Sequence, residues 1–213
     1  MKTDDLITLL ARDNPGVIVD DRTAPMRSLA TVAAASLAVL VVFLTLAGPR
    51  AGLATGAIFA VVGLKLAVTL AAVAAGIVLA RQLSRPVGSS ATLLWLLPAA
   101  VLSGFGLWET AMLGTSGWQA RMTGTNALYC LTMIPLISLL PLAGLLVALK
   151  ARAPASPALA GAAAGLAAAG IGASVYALHC TEDSALFLAM WYSLAAGIVV
   201  ALGALAGRRL LAW

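Results

Sequence analysis

Six long apolar stretches constrain the fold of this chain more than any other feature of its sequence. They cover residues 28–47, 53–80, 91–113, 127–149, 157–178 and 184–206. Apolar residues make up 62% of the 213 residues and charged residues only 10%, and a soluble domain of this size could not bury so much apolar surface. A bilayer core is crossed by about 20 apolar residues in a helix, because lipid offers no partners to backbone polar groups. The sequence therefore predicts an all-α, polytopic membrane protein with a six-transmembrane-helix bundle.

The lysine and arginine residues predict the orientation of this bundle. If the N-terminus is cytoplasmic, ten basic residues fall on the inner side: Lys2, Arg12, Arg22, Arg27, Arg81, Arg85, Lys150, Arg152, Arg208 and Arg209. Only Arg50 and Arg121 fall outside, and Lys65 lies within the second span. This bias is typical of the positive-inside rule, so both termini are predicted to be cytoplasmic. The net charge of +5 then reflects topology, and no basic stripe interleaved with aromatic residues suggests direct nucleic-acid binding.

The single histidine and both cysteines occur in two short segments, ALYC (127–130) and YALHC (176–180). The predicted topology places Cys130 at the outer start of the fourth span, with His179 and Cys180 at the outer end of the fifth. Two cysteines in an oxidising compartment can form a disulfide. Two thiolates and an imidazole could instead hold a transition metal ion such as zinc, although the spacing matches no zinc signature. A third interpretation is that both cysteines simply fill buried positions.

Two ionisable residues lie within or near the predicted spans. Lys65 is predicted about 18 Å from the outer start of its helix, and Glu109 about 6 Å from the outer end of the third span. A charge deep in the membrane is a functional candidate by default, here for an ion relay. A lysine whose ammonium group is capped by carbonyls, or which snorkels towards water, is the structural alternative.

Two patterns of small residues predict close helix packing. They are GAAAG (161–165) in the fifth span and GALAG (203–207) in the sixth. Small residues four positions apart let helix backbones approach each other in lipid. The patterns predict tight packing within the bundle and do not by themselves predict dimerisation.

The first 27 residues differ in character from the rest, since they hold five of the eight acidic residues. A short amphipathic helix is predicted over residues 4–12, followed by an extended tether. Its proposed contact residues are Asp4, Asp5, Leu6, Leu9 and Leu10. So short a helix rarely persists alone in water, so it is expected to fold against a partner groove. A helix on the membrane surface is the alternative, but such helices favour basic polar faces.

The chain carries no motif of an enzyme. It contains no phosphate-binding glycine loop, no HExxH sequence, no nucleophile elbow and no pair of carboxylates at a catalytic spacing. Besides a regulatory protein, two other classes remain open: a small transporter or channel that uses Lys65 and Glu109, and a scaffold protein without sensing.

Several segments resemble the NrsF family of membrane-bound anti-sigma factors. They are the opening MKTDDLITLLA, the HCTED turn (179–183) and the closing FLAMWYSLAAGIVVALGALAGRRLLAW (187–213). The six spans and the placement of the cysteines are also similar, so the resemblance covers essentially the whole chain.

The resemblance implies a function in transcription regulation and the stress response. Residues 1–27 would bind an extracytoplasmic-function sigma factor, and residues 28–213 would form a six-helix transmembrane sensor domain in the bacterial inner membrane. Cys130 and Cys180 would match the paired cysteines of the family and take the sensing role. The sensing residues are thus expected to be Cys130, Cys180 and His179. The sequence implies no cofactor beyond the transition metal ion considered above, and it does not determine the oligomeric state.

Overall fold

The computed structural model describes residues 3–5, 8, 9, 24–53, 55–84, 93–150, 152 and 154–212, without the side chains of 24–29, 93–97 and 99. Every regular element in this part of the chain is helical. The helices are α1 (Ala24–Ala47), α2 (Gly56–Leu83), α3 (Leu93–Leu113), α4 (Trp118–Thr123), α5 (Ala127–Lys150), α6 (Pro157–Ala177) and α7 (Ala185–Leu210). Helix α7 contains one π-helical turn at Leu188–Tyr192.

The predicted spans coincide with six of these helices, and the all-α class is confirmed. Within the described residues, α1, α2, α5, α6 and α7 are long and apolar enough to cross a membrane. Helix α3 has 21 residues. Its continuous apolar segment with described side chains is Ala100–Leu113, which is shorter than a span. Five spans are therefore supported by length and composition, while the sixth span and the orientation stay predictions. Helix α4 was not predicted, and it lies between Gly117 and Gly124, both with positive φ.

Successive long helices alternate in direction, so the bundle has two chemically different ends. We call one the cysteine end; it comprises the loops 48–53, 114–126 and 178–184 and the helix termini they join. Hydrogen bonds tie these parts together, for example from the backbone N of Arg50 to the carbonyl of Leu178 at 2.9 Å. We call the other the basic end, after its exposed cations Arg81, Lys150, Arg152, Arg208 and Arg209.

Helix α6 lies at the centre of the bundle. Sixteen of its 21 residues are buried, far more than a lipid-facing helix could bury, and almost all of them are alanine or glycine. A Cβ on Gly161 would collide with the carbonyl oxygen of Gly203, and one on Gly165 would lie 2.7 Å from the carbonyl of Val199. The small-residue patterns of α6 and α7 therefore face each other inside one chain, which confirms the predicted packing within the bundle.

Gly203→Ala is expected to destabilise the bundle by about 1–3 kcal/mol, because the added methyl group meets rigid backbone of α6. Gly197→Ala is the matched control in the same helix, since a Cβ there meets nothing within 4 Å. The unfolding midpoint of each purified variant in one detergent measures the difference. Equal midpoints for the two variants would contradict the packing described for α6 and α7.

Candidate functional site

The loop 178–184, between α6 and α7, holds most of the polar side chains of the cysteine end. Helix α6 ends at Ala177, and the backbone N–H groups of His179 and Cys180 both donate to the carbonyl of Tyr176, at 3.0 and 2.9 Å. These bonds turn the chain sharply. Cys180 is thereby directed back into the bundle, while Asp183 faces the cations Arg50 and Lys65.

Lys65 reaches this loop from inside the bundle. Its side chain is only 2% exposed, and its Nζ donates to the carbonyl oxygens of Cys180 at 3.3 Å and Glu182 at 2.5 Å. The same ammonium lies 2.8 Å from a carboxylate oxygen of Asp183. A buried charge is tolerated when it is both paired and hydrogen-bonded, and Lys65 meets both conditions.

Arg50 binds the loop from the other side. Its two terminal nitrogens contact the two carboxylate oxygens of Asp183 at 2.6 and 2.7 Å, the bidentate geometry that makes such pairs strong. Burial alone would raise the pKa of Asp183, but hydrogen bonds from Arg50 and Lys65 and their positive charges outweigh it, so this pKa lies below its usual range. The hydrogen bond to Asp183 likewise raises the pKa of Arg50. Asp183 is thus ionised at neutral pH and joins two cations.

Glu182 connects the loop to the start of α5. One of its carboxylate oxygens accepts hydrogen bonds from Thr125, from Oγ1 at 2.6 Å and from the backbone N at 2.7 Å. These bonds lower the pKa of Glu182. The neighbouring residue Thr181 accepts a hydrogen bond from Asn126 Nδ2 at 3.3 Å. The loop is therefore fixed to the N-terminal end of α5, through residues five and four positions before Cys130.

Glu109, at the end of α3, caps the N-terminus of α7. It accepts hydrogen bonds from the hydroxyl of Ser184 and from the backbone N–H groups of Ala185 and Leu186. The first N–H groups of a helix have no partner within the helix, and a carboxylate there also interacts favourably with the helix dipole. Arg121 lies 3.3 Å from the same carboxylate, so the charge of Glu109 is balanced.

The two cysteines lie together in the interior next to this loop. Cys130 is 0% and Cys180 1% exposed, and both belong to one cluster of buried residues with Tyr176, Phe187 and Tyr192. Both are free thiols. Both cysteines therefore lie in the same buried cluster at the cysteine end, while the side of the membrane that this end faces stays a prediction.

The imidazole of His179 is held apart from the thiols. Its Nδ1 lies 2.9 Å from the carbonyl oxygen of Gly48; a carbonyl only accepts, so Nδ1 carries the proton. Its ring packs against those of Phe43, Tyr129 and Tyr176, with centroids 5.6–6.3 Å apart. Among the described residues no group of three or more His, Cys, Asp and Glu side chains could hold a metal ion. The expected metal set of Cys130, His179 and Cys180 is thus not assembled.

Comparison with known proteins decides the family. The family model described as "NrsF: Negative regulator of sigma F" matches residues 10–213. The chain belongs to the NrsF family. Two curated relatives align along 100% of both chains: a probable anti-sigma-F factor NrsF of Azospira oryzae, 33% identical, and an anti-sigma-F factor NrsF of Caulobacter vibrioides, 35% identical. No solved structure matches this chain.

In this NrsF-family chain the two intramembrane charges do not form the relay that the sequence suggested. Lys65 binds Asp183 and two carbonyls, whereas Glu109 binds the start of α7 and Arg121. Helix α2 begins at Gly56, so Lys65 lies about 14 Å along it rather than 18 Å. The carbonyl-capped alternative describes its contacts better. The sequence did not predict Asp183 as the partner of Lys65, or Arg50 as the second cation bound to Asp183, although a lysine within an apolar span requires a carboxylate or carbonyl groups nearby.

The N-terminal segment of the NrsF-family chain is described only in part. Residues 3–5, 8 and 9 are helical and exposed, and Thr8 Oγ1 donates to the carbonyl of Asp4 at 2.8 Å. Leu9 is 56% exposed. Asp4 and Asp5 lie on this helix, while Leu6 and Leu10 lie outside the described residues.

Because the folded pKa of Asp183 lies below its unfolded value, its ion pairs stabilise the fold fully above the unfolded pKa and are lost as the pH falls through the folded pKa. The midpoint temperature of unfolding should therefore decrease as the pH falls below about 4. Asp183→Asn should lower the midpoint temperature at neutral pH and reduce its further decrease at acid pH. Thermal unfolding between pH 3 and 7 measures both effects; identical pH profiles for the two chains would contradict the role given to Asp183.

Proposed function

We propose that this chain is a membrane-bound anti-sigma factor that holds an extracytoplasmic-function sigma factor at the bacterial inner membrane and releases it when its thiols are oxidised. The observation that carries the proposal is the full-length match to two relatives named anti-sigma-F factors.

The charge distribution supports a cytoplasmic basic end. At the cysteine end, three described cations, Arg50, Lys65 and Arg121, stand against three acidic residues, Glu109, Glu182 and Asp183. The five exposed described cations of the basic end have no acidic residue beside them in the same loops and helix ends. Since Lys and Arg concentrate on the cytoplasmic side of membrane proteins, the larger number of exposed cations at the basic end supports a cysteine end that faces outward.

The N-terminal segment is the part of the chain suited to bind a soluble partner. It precedes α1, which runs from the basic end to the cysteine end, so it extends from the cytoplasmic side in this orientation. Its leucines, Leu6, Leu9 and Leu10, follow helical spacing, and Leu9 is exposed. An exposed leucine stripe on a short helix gains stability by inserting into an apolar groove of a partner.

The thiol pair is the part of the chain suited to respond to an oxidant. Cys130 lies in the first turn of α5, and Cys180 in the loop that joins α6 to α7. An oxidant that takes two electrons and two protons from the thiols would leave a disulfide between these elements. Such a bond typically contributes about 2–4 kcal/mol to whichever arrangement it fits. It would therefore shift an equilibrium between two packings of the bundle.

Replacing Leu6, Leu9 and Leu10 by aspartate in the full-length chain should abolish sigma-factor binding. Each buried leucine contributes about 1.5–3 kcal/mol, so even Leu9→Asp alone should weaken binding at least about tenfold. Co-purification of the sigma factor with the detergent-solubilised chain measures this.

Thr8→Asp is the matched control for the leucine variants, because it adds the same charge to the same helix on the side opposite the leucines. It should retain binding. Equal loss in Thr8→Asp and Leu9→Asp would show that charge, rather than the leucine face, decides the interaction.

Cys130→Ser and Cys180→Ser should each abolish oxidant-induced release of the sigma factor, because the disulfide needs both sulfurs. Release from the full-length chain in lipid nanodiscs, before and after treatment with a thiol oxidant, is the measurement. Non-reducing electrophoresis should show the intramolecular bond in the unsubstituted chain alone. Full release from either single variant would contradict the disulfide mechanism.

A further inference from the structure

Cys180 is buried, and its backbone carbonyl is hydrogen-bonded by side chains from other parts of the chain. Cys180 belongs to a loop, yet its exposure is 1%, which is unusual for a segment that connects two helices at the end of a bundle. The backbone around it is fixed by charged groups. Lys65 Nζ and Arg50 both donate to the carbonyl oxygen of Cys180, at 3.3 and 3.4 Å.

We propose that Lys65 is a positioning residue for Cys180: it holds the loop 178–184 inside the bundle, keeps the sulfur of Cys180 buried beside Cys130, and thereby limits the access of reagents to that thiol. The proposal assigns a regulatory role to Lys65 only insofar as the proposed thiol sensing holds. The effect of Lys65 on the reactivity of the Cys180 thiol does not depend on a sigma factor.

The contacts of Lys65 distinguish it from the other cations of the cysteine end. Its side chain is the most buried of the three, 2% exposed against 10% for Arg50 and 24% for Arg121, and it binds the carbonyls of Cys180 and Glu182 and the carboxylate of Asp183. Arg50 is more peripheral, since it binds mainly the carboxylate of Asp183. Without Lys65, the two carbonyls would lose a charged donor in a dry environment, and the segment that carries the sulfur would gain freedom.

The alternative is that Lys65 stabilises the bundle as a whole. Loss of global stability would raise the exposure of Cys130 and Cys180 together, since both sulfurs lie in one buried cluster. Loss of positioning would raise the exposure of Cys180 alone, because Cys130 is held within the first turn of α5 by its own helix, with its N–H bonded to the carbonyl of Asn126 at 2.9 Å. The two roles therefore differ in the ratio of the two thiol reactivities.

The test measures the alkylation rate of each thiol by a membrane-impermeant maleimide in the full-length chain in lipid nanodiscs. Cys130→Ser isolates Cys180, and Cys180→Ser isolates Cys130. Lys65→Met keeps the apolar stem and leaves Asp183 paired with Arg50, so no buried charge is left alone. It should raise the rate at Cys180 at least about tenfold while the rate at Cys130 changes less than about twofold.

Three further variants sharpen the result. Asp183→Asn should raise the rate at Cys180 less than Lys65→Met does, since both carbonyl contacts of Lys65 remain. Asp183→Glu keeps the charge at a side chain that is 39% exposed and should stay near the rate of the unsubstituted chain. Lys150→Met removes an exposed lysine of the basic end and should change neither thiol. If Lys65→Met does not purify as a folded chain, the alkylation rates of the two thiols in Asp183→Asn are the deciding measurement.

An unchanged rate at Cys180 in Lys65→Met, or in Asp183→Asn where Lys65→Met does not fold, would overturn the proposal, and so would an equal rise at both thiols. Neither result bears on sigma-factor release, which the cysteine variants test. Conversely, a selective rise at Cys180 together with oxidant-independent sigma binding would retain the positioning role and reject thiol sensing.

Discussion

The structure of the cysteine end depends on the contacts of the buried ammonium group of Lys65. It is buried at a depth where water cannot solvate it, so the protein must supply both a counter-charge and hydrogen-bond acceptors. Asp183 supplies the charge, and the carbonyls of Cys180 and Glu182 supply the acceptors. To meet these needs, the loop after α6 folds inward. The burial of a sulfur atom is thus a consequence of solvating a lysine.

The same reasoning explains why the two ends of the bundle differ. Each cation of the cysteine end has a carboxylate partner: Asp183 for Lys65 and Arg50, and Glu109 for Arg121. Asp183 and Glu109 therefore serve as the structural partners of these cations. The basic end keeps its cations exposed, where water solvates them. The bundle thereby separates exposed positive charge at one end from paired charge that fixes a loop at the other.

Much of this architecture could be predicted from the sequence, because lipid allows few solutions. Apolar length fixed the helices to within a few residues, as for α5, predicted over 127–149 and observed over Ala127–Lys150. The meeting of Cys130 and Cys180 followed from helix alternation alone. The partner of Lys65 did not, since it depends on how far a seven-residue loop folds into the bundle. The orientation of His179 and the π turn of α7 depend on side-chain packing, which periodicity does not report.

Helix α6 connects the thiol-bearing loop to the opposite end of the molecule through a core of alanine and glycine. Large side chains absorb a displacement by changing rotamer, but a methyl group or a hydrogen atom has no such freedom. Where Gly161 and Gly165 meet the backbone of α7, the two helices have nothing compressible between them. A small shift imposed at one terminus of α6 would consequently displace the helix as a rigid body along its axis, so that most of the movement reaches the other terminus.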